Sequence, residues 1–114
     1  MPENLRRFSF TILAAVGVMT VALVCAQEGD TLERRGETLL TTNCSRCHAI
    51  NRTGNSPHSS APPFRTLSKK YPIDGLAEAL AEGFSVGHPD MPELVFEPDE
   101  IAGILAYLKS IQER

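Results

Sequence analysis

The chain has 114 residues, a formal net charge of −3, no tryptophan and three cysteines. That acidity, with no basic patch interleaved with aromatics, argues against a nucleic-acid partner. The length allows one small domain, which buries a modest share of its surface and needs a disulfide, a metal or some other internal support.

Residues 1–26, MPENLRRFSFTILAAVGVMTVALVCA, have the layout of a secretory signal peptide. Arg6 and Arg7 precede an apolar run from Phe8 to Val24, and small residues follow at Cys25 and Ala26. Cleavage after Ala26 would leave residues 27–114 as the mature domain. The competing reading is an uncleaved anchor, because the run sits at the short end of what spans a bilayer. Either way the functional part is exported, so a periplasmic location is expected. Exported proteins use cysteine for disulfides or covalent cofactors. In 27–114 both cysteines, Cys44 and Cys47, fall within one short motif.

From Asp30-Thr31 onward, Leu32, Gly36, Leu39 and Leu40 fall on one side of a helix leading to Cys44. Gly36 costs that helix about 1 kcal/mol relative to alanine, which suggests close approach by another element. A turn-rich stretch follows, NRTGNSPHSSAPPFRTL, and then IDGLAEALAEG, a short helix closed by Gly83. The loop FSVGHPDMPELVF carries His88 and Met91. Last comes EPDEIAGILAYLKSIQER, the clearest helix, with Pro98 at its first position and Asp99 and Glu100 at its positive end. Ile101, Ile104, Leu105, Leu108 and Ile111 form its apolar stripe. No strand pattern or repeat emerges. Loops this long in a compact domain need a ligand to organise them.

The motif NCSRCHAI, Asn43 to Ile50, admits three chemistries. Zinc needs four ligands, only histidines and carboxylates remain to complete the set, and His48 adjoins Cys47 awkwardly. Thiol–disulfide exchange needs a strand before the pair and a helix after it, whereas this pair ends a helix and enters loops. Covalent haem attachment explains both residue types and order. Two thiols on one turn add to the porphyrin vinyl groups, and the next residue places an imidazole under the iron. On this reading Cys44 and Cys47 become thioethers of haem c and His48 Nε2 is the proximal iron ligand.

Met1 and Met19 lie in the leader, so Met91 is the sole methionine of 27–114. Taken alone it reads as a flexible core filler. Given a haem, its thioether becomes the distal ligand, with His88 and His58 as alternatives that would lower the potential.

With these residues in place the sequence resembles the small single-haem class I cytochromes c over essentially all of 27–114. The resemblance implies an all-α, cytochrome c-like fold in which N- and C-terminal helices cross and long loops wrap the haem. Gly36 and Leu40 look like the family's N-terminal crossing pair, and Ile104 and Tyr107 like the C-terminal pair. Leu40 departs from the aromatic often found there. APPF resembles the segment whose proline carbonyl orients the proximal imidazole; Pro62 is the better match and Pro63 the other. Met91-Pro92 resembles the distal-ligand motif. Tyr71, Arg52 or Arg65 would take the place of the tryptophan or tyrosine that the family sets near the propionates.

The function implied is periplasmic one-electron transfer on a haem c with His/Met axial ligation, in a monomeric carrier rather than an enzyme. Its partners would be redox proteins: a membrane complex and a reductase, oxidase or dehydrogenase of a respiratory chain. The alternatives are a haem subunit dedicated to one oxidoreductase and an open-site haem sensor or peroxidase. Charge is uneven, with seven Lys/Arg from Gln27 to Lys70 and eight acids without a single Lys/Arg from Tyr71 to Leu108. Basic residues gathered at the haem edge would steer partners in a salt-dependent way; the plainer reading is a mixed solvated surface.

Overall fold

The structure is a computed structural model that describes residues 31–83 and 90–114. The expected leader over 1–26, the helix start at Asp30, and His88 lie outside the described residues. The described part is helical and contains no strand.

Helix α1 covers 31–43. Its polar face satisfies itself: Thr38, Thr41, Thr42 and Asn43 each donate from the side chain to the carbonyl four residues back. Such back-bonding keeps short polar side chains on their own helix and asks nothing of a neighbour. Its apolar face is left to pack, and Leu40 is only 2% exposed.

Beyond the motif, two 3-10 turns, Phe64–Lys69 and Ile73–Gly75, lead into α2, Leu76–Glu82. Gly83 closes α2 with φ +95°, a left-handed conformation that a residue with a Cβ would resist. Helix α3, Pro98–Ile111, begins with Pro98 in its first turn and with the Glu97 N–H donating to Glu100 Oε2 at 3.0 Å. Its stripe of Ile101, Ile104, Leu108 and Ile111, together with Tyr107, is buried, and Ile104 is fully enclosed. Leu40, Ile50, Phe64, Ile73, Leu80 and Phe96 complete the core around it.

Helices α1 and α3 meet backbone to backbone. A Cβ built at Gly36 would lie 2.0 Å from the Gly103 carbonyl oxygen and 2.9 Å from Ile104 N, distances no real Cβ adopts. The crossing expected of Gly36 and Leu40 with Ile104 and Tyr107 is therefore centred on a second glycine, Gly103. Arg35 on α1 reaches Asp99 at the start of α3 at 2.7 Å.

The far end of α3 holds the first 3-10 turn. Gln112 Nε2 donates to Phe64 O at 2.9 Å, and Ser68 N–H donates to Gln112 Oε1 at 2.9 Å. Glu113 N–H donates to Arg65 O at 2.9 Å, while Arg65 Nε and Lys69 Nζ both donate to the Glu113 carboxylate. Lys109 reaches Asp74 at 2.6 Å, and Phe96 N–H donates to Leu80 O at 2.9 Å, fixing α2 and the segment before α3.

Candidate haem site

The motif is wound where α1 runs out of helix. Cys44 O accepts from Cys47 N–H at 3.1 Å and from His48 N–H at 2.9 Å, so Cys44, Cys47 and His48 share one turn. Ala49 and Ile50 then enter the core and anchor the chain just past the histidine. Ala49 also joins the loop to itself, donating to Ser56 Oγ at 3.0 Å and accepting from Phe64 N–H at 2.9 Å. That last bond docks the Pro-Pro-Phe segment onto the motif.

Docking brings Pro62 O to 2.9 Å from His48 Nδ1. A carbonyl can only accept, so Nδ1 carries the proton, and a neutral ring then keeps its lone pair on Nε2. A Nδ1–H donated to a carbonyl also fixes ring orientation and makes Nε2 a better metal donor. The Phe64 ring packs on the imidazole, with centroids 4.5 Å apart and planes tilted by 34°. In the sequence Phe64 stands out only as the aromatic that ends APPF, and nothing there assigns it to the imidazole.

Burial pushes the Cys44 thiol up to about 11, and the neighbouring Cys47 adds to the effect. A sulfur held in that environment favours its neutral form. A thioether carries no charge and suits the same environment. Among the described residues no group of three or more His, Cys, Asp or Glu is placed to hold a bare metal ion.

The Met91 segment is reached from the motif through His58. Its N–H donates to Cys47 O at 3.1 Å, and its ring sits 3.3 Å from Asp90 Oδ2, next in sequence to Met91. Met91 itself is half-buried. The structure thus brings Cys44, Cys47, His48 and Pro62 together directly, and joins the Met91 segment to them through His58 and Asp90. As for His58 as an iron ligand, Ser60 N–H donates to Nδ1 and Asp90 faces Nε2, so both ring nitrogens are already engaged. Arg65 is bound to Gly54 O and Glu113, and Tyr71 is 53% exposed.

The sequence model of the cytochrome c family matches residues 33–112. The chain belongs to the cytochrome c family. No curated protein and no solved structure matches it. As a cytochrome c it carries haem c covalently attached through Cys44 and Cys47, and it takes part in haem-based electron transfer with redox partners. The donor set fits that group: two sulfurs and an oriented imidazole on one turn, among apolar side chains. Leu39, Leu67, Leu76, Leu94 and Leu105 pack against the core while keeping part of their surface uncovered. They are the kind of half-covered apolar residues a flat hydrophobic cofactor can seal.

Proposed function

We propose that this cytochrome c is a periplasmic carrier of single electrons whose iron is held by His48 on one side and Met91 on the other. The observation that carries the reading is the His48–Pro62 hydrogen bond of 2.9 Å, which leaves Nε2 as the only basic ring nitrogen. The bound haem supplies a ferrous/ferric couple.

The residues do the rest. Cys44 and Cys47 tether the cofactor, so it is not lost in a dilute exported compartment. Pro62 O steadies the imidazole in both oxidation states. Met91, as a neutral thioether, favours the ferrous state and raises the potential above that of a bis-histidine site. His48 and Met91 together would hold the iron from both sides and leave no site for dioxygen, which would separate a carrier from a peroxidase or sensor. Export is supported by the leader-like layout of residues 1–26.

Partner docking would use the edge where the cysteines lie. Arg46 is exposed between them. Elsewhere Arg35 is engaged by Asp99, and Arg65 and Lys69 by Glu113, so local pairing weakens a long-range basic field. Partner reduction rates should therefore depend only mildly on ionic strength.

Absorption spectra of haem-loaded protein test the reading. The ferric form should show the long-wavelength iron–sulfur band, and the ferrous form should ignore carbon monoxide. Met91→Ala should abolish the band and admit carbon monoxide. A wild type that binds carbon monoxide readily would sink the carrier assignment.

A further inference from the structure

We propose that His58 is a positioning residue for the distal side, a latch that holds the Met91 segment against the haem-attachment turn. The inference rests on Met91 being the distal ligand.

The His58 main chain is tied at both ends: its N–H donates to Cys47 O at 3.1 Å, and its carbonyl accepts from Ala61 N–H at 3.0 Å. Its ring is oriented by a third bond, Ser60 N–H donating to Nδ1 at 3.2 Å. An accepting Nδ1 puts the ring proton on Nε2, which then donates toward Asp90 Oδ2 at 3.3 Å. One residue thus connects the second cysteine's carbonyl to the residue immediately before Met91.

On its other flank the Met91 segment is held by Phe96 N–H donating to Leu80 O at 2.9 Å. Met91 lies between these two ties, at a bend that is followed by a stretch without regular secondary structure from Pro92 to Glu97. A segment held at both flanks keeps its central side chain in place without being rigid along its length. Removing the first tie weakens the hold on the flank next to Met91.

The pair is partly solvated, with side-chain exposures of 33% for His58 and 66% for Asp90. Contacts of this kind contribute little to global stability. They act on local opening, where a small bias changes the fraction of molecules with a vacant distal position. The latch therefore predicts a change in access to the iron with little change in unfolding.

The test uses haem-loaded ferric protein and imidazole as an added ligand, with thermal unfolding followed in parallel. His58→Ala and, separately, Asp90→Ala should tighten apparent imidazole binding about fivefold, since apparent affinity scales with the open fraction. The iron–sulfur band should weaken while the unfolding midpoint holds. His58→Gln, which restores an N–H donor of similar reach, should return imidazole binding toward the wild-type value. Unchanged imidazole affinity in both alanine variants, with the band intact in the wild type, overturns the latch and leaves Met91 ligation standing. A wild type without the band overturns both.

Discussion

Gly36 of α1 faces Gly103 of α3 so closely that a Cβ at Gly36 would lie 2.0 Å from the Gly103 carbonyl oxygen and 2.5 Å from its carbon. Neither partner can retreat, because both clashing atoms are main chain and Ile104, next to them, is fully enclosed. Gly36→Ala should therefore destabilise the haem-loaded protein by about 3 kcal/mol or more, at the upper end of overpacking effects. Gly103→Ala should cost less, since its Cβ would meet Leu32 O at 3.1 Å and Gly36 N at 3.2 Å. Denaturant unfolding of both variants checks the ranking, and a milder effect at Gly36 than at Gly103 would contradict this geometry.

Phe64 covers the proximal imidazole and is itself buried. Phe64→Ala should cost about 3 kcal/mol through the cavity left beside His48. Phe64→Leu keeps most of the volume and should cost under about 1.5 kcal/mol. If the ring only fills space, both variants keep the wild-type potential. If it also orients His48, the alanine variant shifts the potential and the leucine variant does so less.

The Arg35 guanidinium beside Asp99 holds that carboxyl below the usual carboxylate range. A group whose pKa is lower in the folded state adds stability above its unfolded pKa and loses it as pH falls through the folded value. The same holds for Glu113, which Lys69 and Arg65 hold down. Arg35→Gln should lower stability slightly in the neutral region and leave it unchanged at strongly acid pH, which flattens the acid limb, the effect shrinking in high salt. Thermal midpoints across the acid range, at two salt concentrations, measure it.

Tyr107 shows the opposite sign. Desolvation first, and then the Glu37 charge, raise its phenol above the ordinary value. Stability from the neutral phenol is complete below the unfolded tyrosine value and is lost as pH climbs through the raised one. The hydroxyl also donates to Asn51 Oδ1 at 3.1 Å. Tyr107→Phe should lower stability at neutral pH by about 1 kcal/mol and blunt the alkaline loss. An unaltered alkaline limb would remove Tyr107 from the account.

The parts legible in the sequence are those with a local pattern. The stripe from Ile101 to Ile111 and Pro98 at the start gave α3, and Gly83 marked the end of α2. The spacing of Cys44, Cys47 and His48 narrows the chemistry to three possibilities, and the helix before the motif and the loops after it choose haem attachment. Gly36 signalled a close approach, but its partner Gly103 did not, because a glycine amid good helix formers carries no mark of what crosses it. The 3-10 turn Phe64–Lys69 has no period to detect, and it is held by Gln112 and Glu113, far along the chain. The His58–Asp90 contact spans 32 residues and joins two polar loops, so nothing in either loop points to the other.

The clasp of Gln112 and Glu113 on the turn behind Pro62 also sets an order of events. Synthesis runs from the amino end, so Cys44, Cys47 and His48 emerge well before the two residues that steady the proximal carbonyl. The sulfurs are thus available for tethering a porphyrin before the turn that follows Pro62 has its clasp. Capture of the cofactor does not need the clasp, whereas the turn behind the proximal carbonyl is completed only with it. A fusion appended after Arg114 should accordingly spare haem incorporation and disturb only the finishing of the proximal side.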